Sequence, residues 1–343
     1  MGKAEITILS SMSFKDSDLA YCPVYYMKLI RDYAKLVFFF VFNKKRYIRT
    51  REGLKLLKAR KGHRFQGHGG ILYSLFRGLS ELGIPYRYNK ITKDTKYIFL
   101  NWSNLKDLEK LARLKKKYGF KVIACPTVAG PFTEILELIK RDCIDIYCSG
   151  SDWARRWTLD SLEKQYHNKV VVWPSGVELM PSYRAKQPRR QILFYCKRVL
   201  IDDDIIQYAE QLGIKCNIIK TQLPGFKKYR FYEYDNFLKQ SDFVIFYQNI
   251  PETQGLAIAE AWARDIPTVI KDNVNEYGAS TAPYMHKENG LFYKSGEELK
   301  KIIFEYNQDP EKFLKRFAPQ KHVIDDRESV KRLLDLFHLE NKQ

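Results

Sequence analysis

Glu252 and Glu260 stand with seven uncharged residues between them, Thr253 to Ala259. An apolar, β-prone run from Asp242 to Tyr247 leads into this segment, and Ile266-Pro267-Thr268-Val269 follows it. The order predicts strand, loop, helix and strand, with Gly255 opening the helix and Glu260 in its second turn. A helix N-terminus presents N–H groups without intrahelical partners at the positive end of the dipole, which suits a phosphate. A carboxylate further along suits the vicinal hydroxyls of a sugar. The pair therefore fits a nucleotide-sugar, with the phosphate at the helix tip and a sugar on either side. An amphipathic helix with an acid near its N-cap accounts for the same residues, and this segment alone leaves both readings open.

Three other clusters carry reactive or ligand-binding residue types. Gly67-His68-Gly69-Gly70 precedes a helical segment, Ile71–Leu82. Glycine permits close backbone approach to a ligand, so Gly69 and Gly70 are candidates for a phosphate, although glycines also merely cap and turn. His63 and His68 sit beside this loop, where a lone histidine is more often structural. Lys197 and Arg198 end the β-prone run Gln191–Cys196; Arg forks onto phosphate oxygens and Lys acts as a point charge. Asp202-Asp203-Asp204 precedes Ile205–Leu212, where acids favour a helix start.

The elements that must position these residues form an alternating series. A chain of 343 residues allows about two domains. From about residue 64 helical segments alternate with short β-rich runs, which predicts α/β domains with parallel sheets. Expected strands are Tyr97–Leu100, Lys121–Cys125, Ile144–Cys148, Val170–Trp173, Gln191–Cys196, Cys216–Ile219, Asp242–Tyr247 and Thr268–Ile270, with Glu5–Ser10 as a further candidate. Expected helices include Ile71–Leu82, Leu105–Tyr118, Ser151–Gln165, Asp203–Leu212, Gly255–Ala263 and an amphipathic Asp326–His338. The Pro- and charge-rich stretch Met180–Arg190 reads as a linker between two doubly wound halves.

The formal net charge is +19, which favours acidic partners such as nucleic acid, an anionic membrane or phosphorylated substrates. From Lys28 to Arg64 there are 13 basic and 2 acidic residues, so most of that charge lies in one stretch. It includes the aromatic run Phe38-Phe39-Phe40 with Phe42. Leu36 to Phe42 is far too short to span a bilayer, and the N-terminus lacks the apolar segment of a secretory signal. A solvated basic face and a surface docking on anionic lipid both fit the stretch. The six cysteines form no Cys-x-x-Cys pair and read as free thiols of a reducing cytoplasm.

The segment from Glu252 to Glu260 resembles the Glu-x7-Glu motif of retaining GT-B glycosyltransferases, and the flanks Glu260-Ala-Trp-Ala263 and Ile266-Pro267 match too. Gly67–Gly70 with Gly83-Ile-Pro85, Asp145–Ser149, Trp173-Pro-Ser-Gly-Val-Glu178, Gln191–Arg198 and Glu288-Asn-Gly-Leu-Phe292 resemble other pieces of that family in the same order. The likeness covers about residues 64–338. It implies two Rossmann-like domains facing across a cleft: 1–183 for the acceptor, 184–322 for the nucleotide-sugar, and 323–343 as a helix returning to the first.

The resemblance also implies roles. Glu260 binds the nucleotide ribose, and Glu252 contacts the donor sugar or the diphosphate. The amides of Gln254, Gly255 and Leu256 face the phosphates, which Gly69 and Gly70 meet from the other side. Lys197 and Arg198 neutralise the diphosphate leaving group, although the family's lysine usually follows its arginine by several residues. The family's N-terminal-domain histidine is not found; Asn101 after Tyr97–Leu100, or His68, stands on the acceptor side. Asp202–Asp204 contains the Asp-x-Asp of metal-dependent GT-A enzymes but is read as a helix cap, so no metal or other cofactor is expected.

The expected donor is a UDP- or GDP-sugar, and the acceptor a glycan or lipid-linked glycan of cell-surface polysaccharide assembly. The expected location is cytoplasmic, on the inner face of a membrane. A nucleic-acid-modifying glycosyltransferase and a catalytically silent nucleotide-sugar or polyanion-binding protein are the alternatives. No nucleic-acid motif supports the first, and the intact glutamate pair argues against the second.

Overall fold

The computed structural model describes residues 5–10, 68–88, 90–101, 105–124, 133–140, 142–221, 231–249, 251–273 and 280–338. The basic stretch 28–64, with its aromatic run, lies outside them, as do His63 and Gly67. The chain forms two compact units. One comprises residues 1–150, 157–173 and 326–343; the other comprises 151–156 and 174–325.

The first unit is built on a parallel six-stranded sheet in the order β2-β1-β3-β4-β5-β6. Its strands are β1 (Ile6–Ser10), β2 (Tyr86–Tyr88), β3 (Tyr97–Asn101), β4 (Lys121–Ala124), β5 (Ile146–Ser149) and β6 (Val170–Val172). The helices α1 (His68–Glu81), α2 (Leu105–Tyr118) and α3 (Thr133–Lys140) connect them. Leu9, Ile98, Val122 and Ile139 lie in one core cluster with Leu111 of α2.

The last helix, α10 (Asp326–His338), packs on α1. Gly78 makes that crossing possible: a Cβ there would lie 2.2 Å from the Asp326 carbonyl oxygen and 2.4 Å from Cγ2 of Val330. Arg77 binds the Asp326 carboxylate. Trp173 Nε1 donates to the Ser329 carbonyl at 2.8 Å.

The second unit has a parallel five-stranded sheet in the order β11-β10-β9-β7-β8. The strands are β7 (Gln191–Lys197), β8 (Lys215–Thr221), β9 (Phe243–Gln248), β10 (Thr268–Lys271) and β11 (Gly290–Tyr293). Central strands of a parallel sheet are covered on both faces, so their sequences are apolar runs without alternation. Ile192, Leu193, Phe194 and Phe243 to Phe246 are accordingly buried throughout. The covering helices include α5 (Asp203–Gln211), α6 (Phe231–Gln240), α7 (Leu256–Trp262), α8 (Gly296–Gln308) and α9 (Pro310–Lys315). From β7 the chain moves to β8 on one side and then to β9 on the other. The switch point, where ligands of doubly wound sheets bind, therefore lies at the carboxyl ends of β7 and β9.

Several boundaries differ from expectation. Helix α1 begins at His68, so Gly69 and Gly70 are in its first turn and not in a loop before it. Helix α4 (Asp152–Asp160) is shorter than expected, because the chain passes into a separate 3-10 segment at Lys164–Lys169. Strands β2 and β11 are additional to those expected: β2 is Tyr-Arg-Tyr with a charged residue at its centre, and β11 begins at Gly290 of an Asn-Gly pair that reads as a turn. The stretch read as a linker is tied into the second unit, with Met180 and Tyr183 donating their amides to the carbonyls of Ala263 and Arg264. Among the described residues Cys143, Cys148, Cys196 and Cys216 are free thiols.

Candidate functional site

The two glutamates lie on either side of the start of α7. Glu252 is in the loop after β9, and Glu260 is inside the helix. Between them Gly255 occupies the N-cap position with φ 73° and ψ 52°, the left-handed region. A Cβ at Gly255 would also approach Ile258 Cδ1 at 3.2 Å. Glycine satisfies both conditions. The next N–H groups, from Leu256 on, have no partner inside the helix, as at any helix start.

The glutamate loop is fastened at three points within the second unit. The Glu252 N–H donates to the Ser280 carbonyl at 3.2 Å. Trp153 Nε1, from the first turn of α4, donates to the Glu252 carbonyl at 3.1 Å. Gln254 Nε2 donates to the Ser175 carbonyl, and its Oε1 is buried with no hydrogen-bond partner.

Helix α7 is held from α6. Tyr234 donates its hydroxyl to the Ala257 carbonyl at 2.7 Å. Arg264, just past the helix, is 1% exposed; it donates to the Glu260 carbonyl at 2.9 Å and to Asp235 Oδ1 at 2.6 Å. Burial, followed by the nearby Glu260 carboxylate, pushes the Tyr234 phenol well above its ordinary value, so it stays a neutral donor. Burial alone would raise the Asp235 carboxyl, but the Arg264 guanidinium beside it, with Lys239, outweighs this and holds it below the usual carboxylate value.

Lys197 closes the site from the sheet. It is the last residue of β7, in register with Gln248 at the end of β9, and its ammonium binds the Glu252 carboxylate. Both side chains keep about a fifth of their surface accessible. Arg198 follows with φ 61° and an exposed side chain, and its N–H donates to the Thr221 carbonyl at 3.0 Å. Glu252, Lys197, Gln254, Gly255, Leu256 and Glu260 therefore belong to the switch point of one sheet.

Asn101 belongs to the other. It ends β3, is 3% exposed and pairs in register with Ser10. His68, Gly69 and Gly70 form the first turn of α1 in that same unit.

Asp202, the N-cap residue of α5, makes no side-chain capping hydrogen bond. It accepts the Tyr247 hydroxyl at 2.8 Å, and Asp204 pairs with Lys300 at 2.8 Å. Asp203 and Asp204 still lie in the first turn, where the dipole favours them. Burial pushes the thiols of Cys196 and Cys216 up to about 11, so neither supplies a thiolate nucleophile near neutral pH.

Sequence reasoning missed Trp153, Tyr234, Asp235 and Arg264. Arg264 follows Glu260 by four residues, one helical turn, and this spacing was the available signal.

The chain matches no protein-family model and no curated protein sequence. It is similar in structure to HepE of Anabaena, solved with UDP and glucose, at 13% identity and a TM-score of 0.55 over 97% of this chain and 99% of HepE. A glycosyltransferase from Rickettsia africae aligns at 11% identity and a TM-score of 0.53 over 98% of each chain. TarM aligns at 14% identity and 0.53 over 78% of this chain, which spans 58% of TarM's length. The fold is GT-B. Within this GT-B chain, Lys197 and the glutamate loop occupy the switch point of the second unit. Among the described residues no helix is long and apolar enough to cross a membrane.

Proposed function

We propose that the protein is a retaining glycosyltransferase that moves a sugar from a nucleotide-sugar to a glycan or lipid-linked acceptor in cell-surface polysaccharide assembly. The observation that carries this reading is the pairing of Lys197 with Glu252 at the switch point, one turned helix away from Glu260. A cation, an array of helix-start amides and a carboxylate for ribose hydroxyls are the parts a nucleoside diphosphate requires. HepE, similar over nearly its whole length, was solved with UDP-glucose, which favours a uridine donor.

In this reading Glu260 accepts the ribose hydroxyls, and the amides of Gln254, Gly255 and Leu256 take the phosphates. Lys197, assisted by Arg198, meets the negative charge that grows on the diphosphate as the glycosidic bond breaks. Such interactions, stronger in the transition state than in the ground state, raise turnover. Glu252 holds Lys197 before the donor arrives and then faces the donor sugar. The acceptor hydroxyl attacks from the face the diphosphate leaves and passes its proton to the departing diphosphate oxygen as the sugar–phosphate bond breaks, so configuration is retained. Asn101, His68, Gly69 and Gly70 serve the acceptor and distal phosphate side. No metal takes part at this site. The basic stretch 28–64 docks the enzyme on an anionic membrane, which about 0.5 M salt would release by screening.

A thermal-shift panel of UDP-, GDP-, ADP- and CMP-sugars tests the donor assignment. A donor at about 100 times its Kd stabilises the protein by about 2.7 kcal/mol. The expected responder is a UDP-sugar. No shift with any of the four would reject the reading.

A further inference from the structure

His286, Glu288 and His322 meet on the second unit, in a place the proposed transfer does not use. His286 and Glu288 lie before β11, and His322 ends the 3-10 turn Pro319–His322. Glu288 Oε2 is 2.6 Å from His322 Nε2 and 3.7 Å from His286 Nδ1, and the two imidazoles stack with centroids 3.7 Å apart. The three donor atoms all lie within 4.8 Å of one another. Each side chain keeps roughly a third or more of its surface accessible, so an ion can reach them from solution.

The backbone under this triad is fixed without it. Asn289, fully buried, closes the 286–289 turn by accepting the His286 N–H on Oδ1 at 2.8 Å. Its Nδ2 donates to the Pro319 carbonyl at 3.0 Å, and the Ala318 N–H donates to the Glu288 carbonyl at 2.9 Å. Two chain segments are thus pinned together by bonds independent of the three side chains. Preorganised backbone of this kind is what a metal site on two loops needs.

We propose that His286, Glu288 and His322 bind a zinc-type divalent transition ion, with water completing a tetrahedral shell. Two imidazoles and one carboxylate are a common zinc donor set, and imidazole selects transition metals over magnesium or calcium. The ion replaces the direct contact between His322 Nε2 and Glu288 Oε2. It also replaces one long hydrogen bond, 3.2 Å, from the Glu288 N–H to His286 Nδ1. Rotation about the Cβ–Cγ bonds, a soft torsion for imidazole, turns the stacked rings toward a common point. Lys321, 3.8 Å from Glu288 Oε1 and 68% exposed, is the competing cation and is free to swing away. The ion would clamp the start of β11 to the 319–322 turn.

Isothermal titration of the full chain with Zn²⁺ alone tests this. The expected result is one ion per chain, binding at least about tenfold weaker in each of His286→Ala, Glu288→Gln and His322→Ala. His167→Ala, which removes an imidazole hydrogen-bonded to the Leu162 carbonyl, should bind as the parent does. Lys321→Ala removes a charge and no ligand; tighter zinc binding by this variant is expected, and a purely structural role for the triad would not produce it. Mg²⁺ should give no heat. Zinc affinity unchanged in all three ligand variants, a stoichiometry of one ion per two chains, or no zinc binding at all would overturn the proposal.

Discussion

The ammonium of Lys197, ending β7, is bound to the carboxylate of Glu252, fifty-five positions later in the loop after β9. Neither side chain is fully buried, and the sheet brings them together because β7 and β9 are hydrogen-bonded neighbours. Under the proposed function, Lys197→Ala removes the cation that meets the growing diphosphate charge. Turnover should fall by about 10²-fold or more, with a smaller change in donor affinity, and Arg198→Ala should be milder. Steady-state kinetics of both variants decides; wild-type turnover in Lys197→Ala would move the cationic site elsewhere.

Glu260→Ala should weaken donor binding and leave the fold intact, because the bond from Arg264 that anchors the end of α7 goes to the Glu260 carbonyl, which the substitution keeps. Losing a charged hydrogen-bond partner costs about 1.5–3 kcal/mol, roughly a 10- to 150-fold rise in Kd. Calorimetry with UDP reads the change, and an unaltered Kd would count against a ribose role.

Asp235→Ala should be destabilising, because it removes the carboxylate paired with the buried Arg264 guanidinium. Breaking a buried ion pair costs about 3–5 kcal/mol, visible as a lower urea midpoint. The same pair sets a pH trend. The Asp235 carboxyl is held below its ordinary value, so its contribution is present above the unfolded pKa and is lost as pH falls through the folded one. Urea midpoints should drop on acidification below the usual carboxylate range, about pH 4, more in the parent than in Asp235→Ala.

Gly78→Ala should destabilise the first unit without touching the donor site. Its new methyl would overlap the Asp326 carbonyl and Val330 where α10 crosses α1. Overpacking of this kind costs about 1–3 kcal/mol, more when backbone must move. A lower unfolding midpoint with unchanged UDP affinity is the expected pair of results.

Turnover should be undiminished in excess EDTA. Asp202 and Asp204 are engaged with Tyr247 and Lys300, and the zinc-type triad does not belong to the transfer chemistry. Loss of turnover restored by Mn²⁺ would return the aspartates to catalysis.

The strand–loop–helix–strand order around Glu252 and Glu260 was legible because each element carries a local signal. The apolar run of β9 is unbroken, Gly255 supplies the left-handed residue at the helix start, and Pro267 stands directly before β10. Lys197 was legible as a basic strand end. Its contact with Glu252 was not, since strand adjacency depends on long-range pairing with no local trace. The same holds for Trp153 and for the hold of Tyr234 and Asp235 on α7. These residues act through tertiary hydrogen bonds, and their local sequence reads only as ordinary amphipathic helix. The zinc-type triad escaped notice because His286 and His322 are far apart in the chain and meet only in the fold.

The return of α10 to the first unit has a consequence for biosynthesis. That unit takes residues from before position 174 and again from 326 onward, so its last structural element is made only after all of 174–325. The second unit has its whole set of strands earlier, and domains generally fold as units during synthesis. The order of completion on the ribosome is therefore the reverse of the order along the chain. Until Asp326 emerges to meet Arg77, and Ser329 to meet Trp173, the first unit must wait with the α1 face around Gly78 uncovered, where a chaperone has its opportunity.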